Sequence, residues 1–134
     1  MSDDGEKTVT LWRPTGTKEL ALVEQSGWTA WPPRLPDQPI FYPVTNFEYA
    51  AQIALDWNTK FNDKIGYVTE FTVRKAYMDL FHKQVVGGGQ HEEYWVPAEQ
   101  LEEFNTNIIG PITIVASYTE KDRLEFEAKV KSNA

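Results

Sequence analysis

The chain reads as an α+β protein, a single domain over residues 1–134 with short helices and mostly antiparallel strands. Three observations predict this. Strand-like stretches outnumber helical ones. The helical stretches are short. No internal repeat and no domain boundary is found along the chain. A hydrophobic content of 41% and an aromatic content of 13% supply a core for a domain of this size.

Residues 1–7 read as a loose polar tail. Thr8–Trp12 is β-branched and apolar, a first strand that ends at the turn signal Arg13-Pro14-Thr15-Gly16. Thr17 is placed to cap a short helix with Leu20 and Val23 on its buried side, and Gly27 stands where a helix end wants positive φ. From Trp28 to Pro39, prolines 32, 33, 36 and 39 forbid a helix or a central strand and predict a stiff surface loop. Ile40-Phe41-Tyr42 enters a second, short strand. Asn46 caps a helix over 47–58, with Ala50, Ile53, Ala54 and Trp57 on one apolar face. Residues 65–73 form a strand, and 75–81 about two helical turns. Gly87-Gly88-Gly89 is a flexible loop before a short strand, His91 to Val96, and Pro97 suits the first position of a helix that buries Leu101 and Phe104. Gly110-Pro111 turns the chain into a strong strand, Ile112–Tyr118. Leu124, Phe126, Ala128 and Val130 alternate with charged residues, which predicts a final strand paired back as a hairpin, with a charged helix as the competing reading.

Composition bounds the function. A net charge of −7 argues against a general nucleic-acid binder or an anionic membrane surface. There is no cysteine, hence no disulfide, thiolate nucleophile or cysteine metal site. The two histidines, His82 and His91, are not spaced as metal ligands, so no metal is expected. The acidic start is no signal peptide, and no apolar run approaches the roughly 18–20 residues of a membrane span. A cytoplasmic protein is the expectation. Nucleophile-elbow and P-loop motifs are absent.

Three residues gain weight together. Arg13 ends the first strand, where a guanidinium can clamp a phosphate or ribose hydroxyl. Tyr42 ends the second and offers a ring and a hydroxyl. Glu93 opens the strand after the glycine loop. Singly, each has a plain explanation as a surface ion pair, core filling or an exposed acid. In this order, on different strands, they resemble the pattern of ADP-ribosyltransferases over roughly residues 11–118. Leu11-Trp12-Arg13-Pro14-Thr15-Gly16 is similar to that family's first motif, and Ile40-Phe41-Tyr42-Pro43-Val44-Thr45-Asn46 with the helix around Tyr49-Ala50 to its second strand and following helix. Glu93-Tyr94-Trp95-Val96-Pro97 is similar to its glutamate strand. The chain is also similar to small bacterial proteins labelled ADP-ribosylation/crystallin J1. The acidic metal motifs of ADP-ribosyl glycohydrolases are missing, so the transferase fold is the one implied.

The resemblance implies two packed, mostly antiparallel sheets with NAD⁺, as substrate, in the cleft between them. Arg13 would hold its phosphate or ribose and Tyr42 would stack on nicotinamide. Glu93 would accept from the ribose 2′-hydroxyl and steady the positive charge at the anomeric carbon. Thr15, Gly16, Thr45 and His91 complete the expected NAD⁺ contacts. Pro43-Val44-Thr45 stands where one branch has Ser-Thr-Ser, and His91 precedes Glu93 by two where toxin-like members have Gln or Glu. The acceptor, protein or nucleic acid, therefore stays open. Two rivals remain from the residues themselves. One is a non-catalytic acidic binding module of immunity type, using the loop with Trp28, Trp31 and Arg34 as its interface. The other is a relative of the same fold that keeps the cleft but binds another nucleotide or a phosphorylated ligand.

Overall fold

A computed structural model describes residues 7–86 and 91–132 and has the α+β class expected. Its centre is a three-stranded antiparallel sheet in the order β1 (Thr8–Thr15), β3 (Ile65–Arg74), β7 (Ile108–Thr119). Apolar β-branched residues make β3 a central strand, packed on both faces. Leu11 pairs with Phe71 and Arg13 with Thr69, while register irregularities interrupt the β3–β7 ladder between Val68 and Thr69 and between Glu70 and Thr72. Two antiparallel ribbons join this sheet: β2 (Ile40–Phe41) with β6 (Val96–Pro97), and β4 (Lys83–Val85) with β5 (Glu92–Tyr94).

One residue connects the parts. Val44 bridges to Trp12 on one side and to Glu93 on the other. Its N–H donates to the Trp12 carbonyl at 2.8 Å and its carbonyl accepts from the Trp12 N–H at 3.0 Å, while Tyr94 N–H donates to Pro43 at 2.9 Å. This places the β4–β5 ribbon, and with it Glu93, alongside β1.

The apolar side chains divide over the two faces. On one, Leu11, Phe41, Phe71 and Phe104 gather around Trp31, whose ring lies edge-on to Phe71 at 5.2 Å. On the other, Val68 and Val44 pack beneath α2 (Phe47–Asp56) through Ala50 and Ala54. The cap of α2 is the expected one: the Asn46 side chain accepts from Tyr49 N–H at 2.7 Å.

Several expectations are corrected. The helix α1 (Thr17–Gln25) starts after Gly16 in the cap position, and the Thr17 hydroxyl donates to Asp63 instead. Trp31, expected on a surface loop and as an interface residue, is only 2% exposed, because its ring packs between Phe41 and Phe71 in the core. Trp57 lies beyond the end of α2 and is 60% exposed. The turns predicted over 75–81 shrink to α3 (Lys75–Met78), and β4 was not anticipated. The strand before Pro97 breaks at Trp95 into β5 and β6. Pro97 lies in β6, and a 3₁₀ turn (Ala98–Gln100) leads into α4 (Leu101–Thr106). Gly110, at φ 77°, sits inside β7 and does not turn the chain.

The largest correction is at the end. The predicted final strand is a helix, α5 (Glu120–Ser132). Local chemistry decides it. Thr119 N–H donates to Asp122 at 2.8 Å and Asp122 N–H donates back to the Thr119 hydroxyl at 3.3 Å, a reciprocal cap. Acids stand in the first turn and Lys129 and Lys131 in the last, as the helix dipole prefers. No residue of α5 is buried. β7 itself pairs only with β3 among the described strands and carries no charged residue over its length. The expected tail, apart from Lys7, and the triple-glycine loop lie outside the described residues.

Candidate functional site

A cleft of about 550 Å³ opens at the end of β1, bounded by α1, the residues after β2, the end of α2 and the β5–β6 segment. Arg13, Thr15, Gly16, Tyr42 and Glu93 all line it. The attachment of β5 to β1 through Val44 is what brings the last of these to the first.

Glu93 is buried, and both of its carboxylate oxygens are held: Tyr49 Oη donates to Oε2 at 3.0 Å and Trp95 Nε1 to Oε1 at 2.8 Å. The acid is thus fixed by one ring from α2 and one from its own segment. Burial first, then the hydrogen bond to Glu93 and its charge, push the Tyr49 hydroxyl up to about 12, so at neutral pH it stays a donor.

Arg13 does not reach into the cleft as a free cation. Its Nε and Nη2 donate to the two oxygens of Glu19 at 2.5 and 2.9 Å. The guanidinium also lies over Phe41, 4.6 Å from the ring centre. Arg34 approaches the same carboxylate at 3.9 Å. Burial alone would raise the Glu19 carboxyl, but the charge and hydrogen bonds of Arg13, helped by Arg34, bring it below its ordinary value. Burial and then the charge of Arg13 lower the Arg34 guanidinium. Two guanidiniums against one carboxylate leave this corner one positive charge in excess.

Tyr42 is exposed and meets Trp95 edge-on at 6.1 Å, forming an aromatic lip. Thr15 Oγ1 and Asn58 Oδ1 are buried in the lining without hydrogen-bond partners. Two expected contacts fall outside the cleft. Thr45 spends its hydroxyl on Glu92 at 2.9 Å. His91 stacks on Tyr49 at 4.5 Å, with Nε2 3.2 Å from Gln52 Oε1. Both brace the segment that carries Glu93. Sequence reasoning missed Tyr49 and Trp95 as holders of Glu93, and Glu19 as the partner of Arg13. The six-residue spacing of Arg13 and Glu19 across a tight turn was the available signal for the last of these.

Among the described residues no group of His, Cys, Asp or Glu could hold a metal ion, and no helix is long and apolar enough to cross a membrane. Comparison with protein-family models, with curated proteins and with solved structures gives no match for this chain.

Proposed function

We propose that the chain binds NAD⁺ in this cleft and is an ADP-ribosyltransferase-like protein, a glycosyltransferase using NAD⁺. The observation that supports the reading is convergence: Arg13, Tyr42 and Glu93, far apart in sequence, line one hollow. Its volume falls within the roughly 300–1,000 Å³ of small-molecule sites. In the mechanism, Glu93 supplies a fixed negative charge beside the ribose as the bond to nicotinamide breaks. Tyr49 and Trp95 hold that charge in place, so little reorganisation is needed at the moment of reaction. The ring of Tyr42 offers a stacking face. The excess positive charge of Arg13 and Arg34 over Glu19 attracts the pyrophosphate, with Arg13 acting through that cluster and not as a free clamp.

The test is calorimetry with NAD⁺ together with nicotinamide release. Wild type binds and releases nicotinamide; Glu93→Gln keeps the fold and loses about 10²–10³ of the release rate, as removal of a preorganised electrostatic contact does. Absence of both binding and release from wild type at millimolar NAD⁺ would reject the reading.

A further inference from the structure

Trp57 is the one large ring of the cleft that this mechanism leaves idle. It borders the hollow from the end of α2, whereas Tyr42 and Trp95 come from the β2 and β5–β6 sides. Its ring is 60% exposed and rests on Phe61, itself 46% exposed, with centroids 4.7 Å apart and planes at 48°. Neither ring is absorbed by the core, and a contiguous exposed apolar surface at a cavity mouth is a site for a ligand to cover.

The charges of the lining are distributed in one way. Its charged members, Arg13, Glu19 and Glu93, are buried or half-buried. Its exposed members are Gln38, Tyr42, Trp57, Val86 and Trp95, none of them charged. A cationic acceptor such as an arginine side chain would find no exposed carboxylate among the described lining residues, and the buried Glu93 already takes hydrogen bonds from Tyr49 and Trp95. A nucleic-acid strand would find no exposed lysine or arginine among the described lining residues and a net charge of −7. An uncharged flat ring gains from stacking, about 1–3 kcal/mol per ring.

We propose that Trp57, backed by Phe61, receives the acceptor, and that the acceptor is an uncharged planar aromatic compound bearing a hydroxyl group. The transfer step rests on the NAD⁺ reading; the ring site does not. In that step the bond between ribose C1′ and the nicotinamide nitrogen breaks and nicotinamide leaves with the electron pair. The acceptor oxygen bonds to C1′, and its proton passes to water.

The probes are naphthol, cyclohexanol as a non-planar alcohol, and agmatine as an arginine-like cation, each titrated calorimetrically without NAD⁺. Wild type is expected to bind naphthol at least about tenfold more tightly than either of the others, and Trp57→Ala to lose about tenfold in naphthol affinity, the scale of one stacked ring. Phe61→Ala, with a smaller loss in the same direction, serves where Trp57→Ala melts early. With NAD⁺ present, naphthol accelerates nicotinamide release by wild type and forms an ADP-ribosyl O-glycoside detectable by mass. Equal naphthol affinity of wild type and both variants, or preference for agmatine, overturns the proposal. Naphthol binding through Trp57 without any NAD⁺ binding keeps the ring site and removes the NAD⁺ reading. NAD⁺ consumption without naphthol binding does the reverse.

Discussion

The cleft side and the C-terminal side of this molecule are held by different kinds of contact. Around the cleft, polar side chains find partners on other elements: Arg13 on Glu19, Glu93 on Tyr49, Trp12 on Glu70 at 3.1 Å. In α5 the contacts are mostly with near neighbours, such as Arg123 to Glu127 at 3.2 Å. Beyond its packing against β7 and α2, the helix reaches the body through Arg123 Nε, which donates to buried Thr59 at 3.0 Å, and through the ion pair of Lys64 with Glu120. The difference teaches which changes should travel. A substitution on the cleft side removes a tertiary contact; one on α5 removes mainly local support.

The sharpest way to break this contrast is to empty the first core. Trp31→Ala should cost about 3–5 kcal/mol in urea unfolding, as deletion of a buried tryptophan does. Gly66→Ala comes next. A Cβ there would meet the Ala54 carbonyl oxygen at 2.4 Å and Asn58 Cβ at 2.9 Å, and backbone cannot yield as a flexible side chain can. A loss of about 1–3 kcal/mol is expected, with displacement of the Asn58 turn that lines the cleft. A pH-dependent effect follows from Glu19. Its folded value lies below its unfolded one, so its contribution is complete above the ordinary carboxylate value of about 4.3 and is lost as the pH falls through the folded value. Thermal melts from pH 6 downward should show that loss in wild type, and Glu19→Gln should flatten it. The smallest effect belongs to α5: Phe126→Ala, at a half-exposed ring, should stay within about 0.5 kcal/mol of wild type. A cost for Phe126→Ala equal to that of Trp31→Ala would end the distinction between the two regions.

Much of the fold was legible because local and tertiary preferences agreed. The β-branched run of β3, the Asn46 cap and the buried Leu101 and Phe104 each read the same way at both levels. Where they differed, the sequence misled. The alternation of Leu124, Phe126, Ala128 and Val130 has the period of a strand, yet the Thr119–Asp122 cap and the charges at the two ends favour helix, and no neighbouring strand overrides them. Proline density placed residues 28–39 in a loop, but nothing in that density tells which ring of the loop turns inward, and Trp31 does. Arg13, Tyr42 and Glu93 could be singled out from their positions at strand ends. Their nearness depends on the bridge through Val44, a long-range pairing that no local pattern encodes.

The neutral outer margin of β7 has a practical meaning. Pro111 lacks an N–H and the Ile112 N–H is taken by the Trp28 carbonyl at 2.7 Å, but the uncharged stretch from Thr113 onward, with Ile114 and Val115 exposed, can template another extended chain. Concentrated stocks should grow turbid by edge-to-edge growth, followed by light scattering, and Val115→Lys should keep them clear.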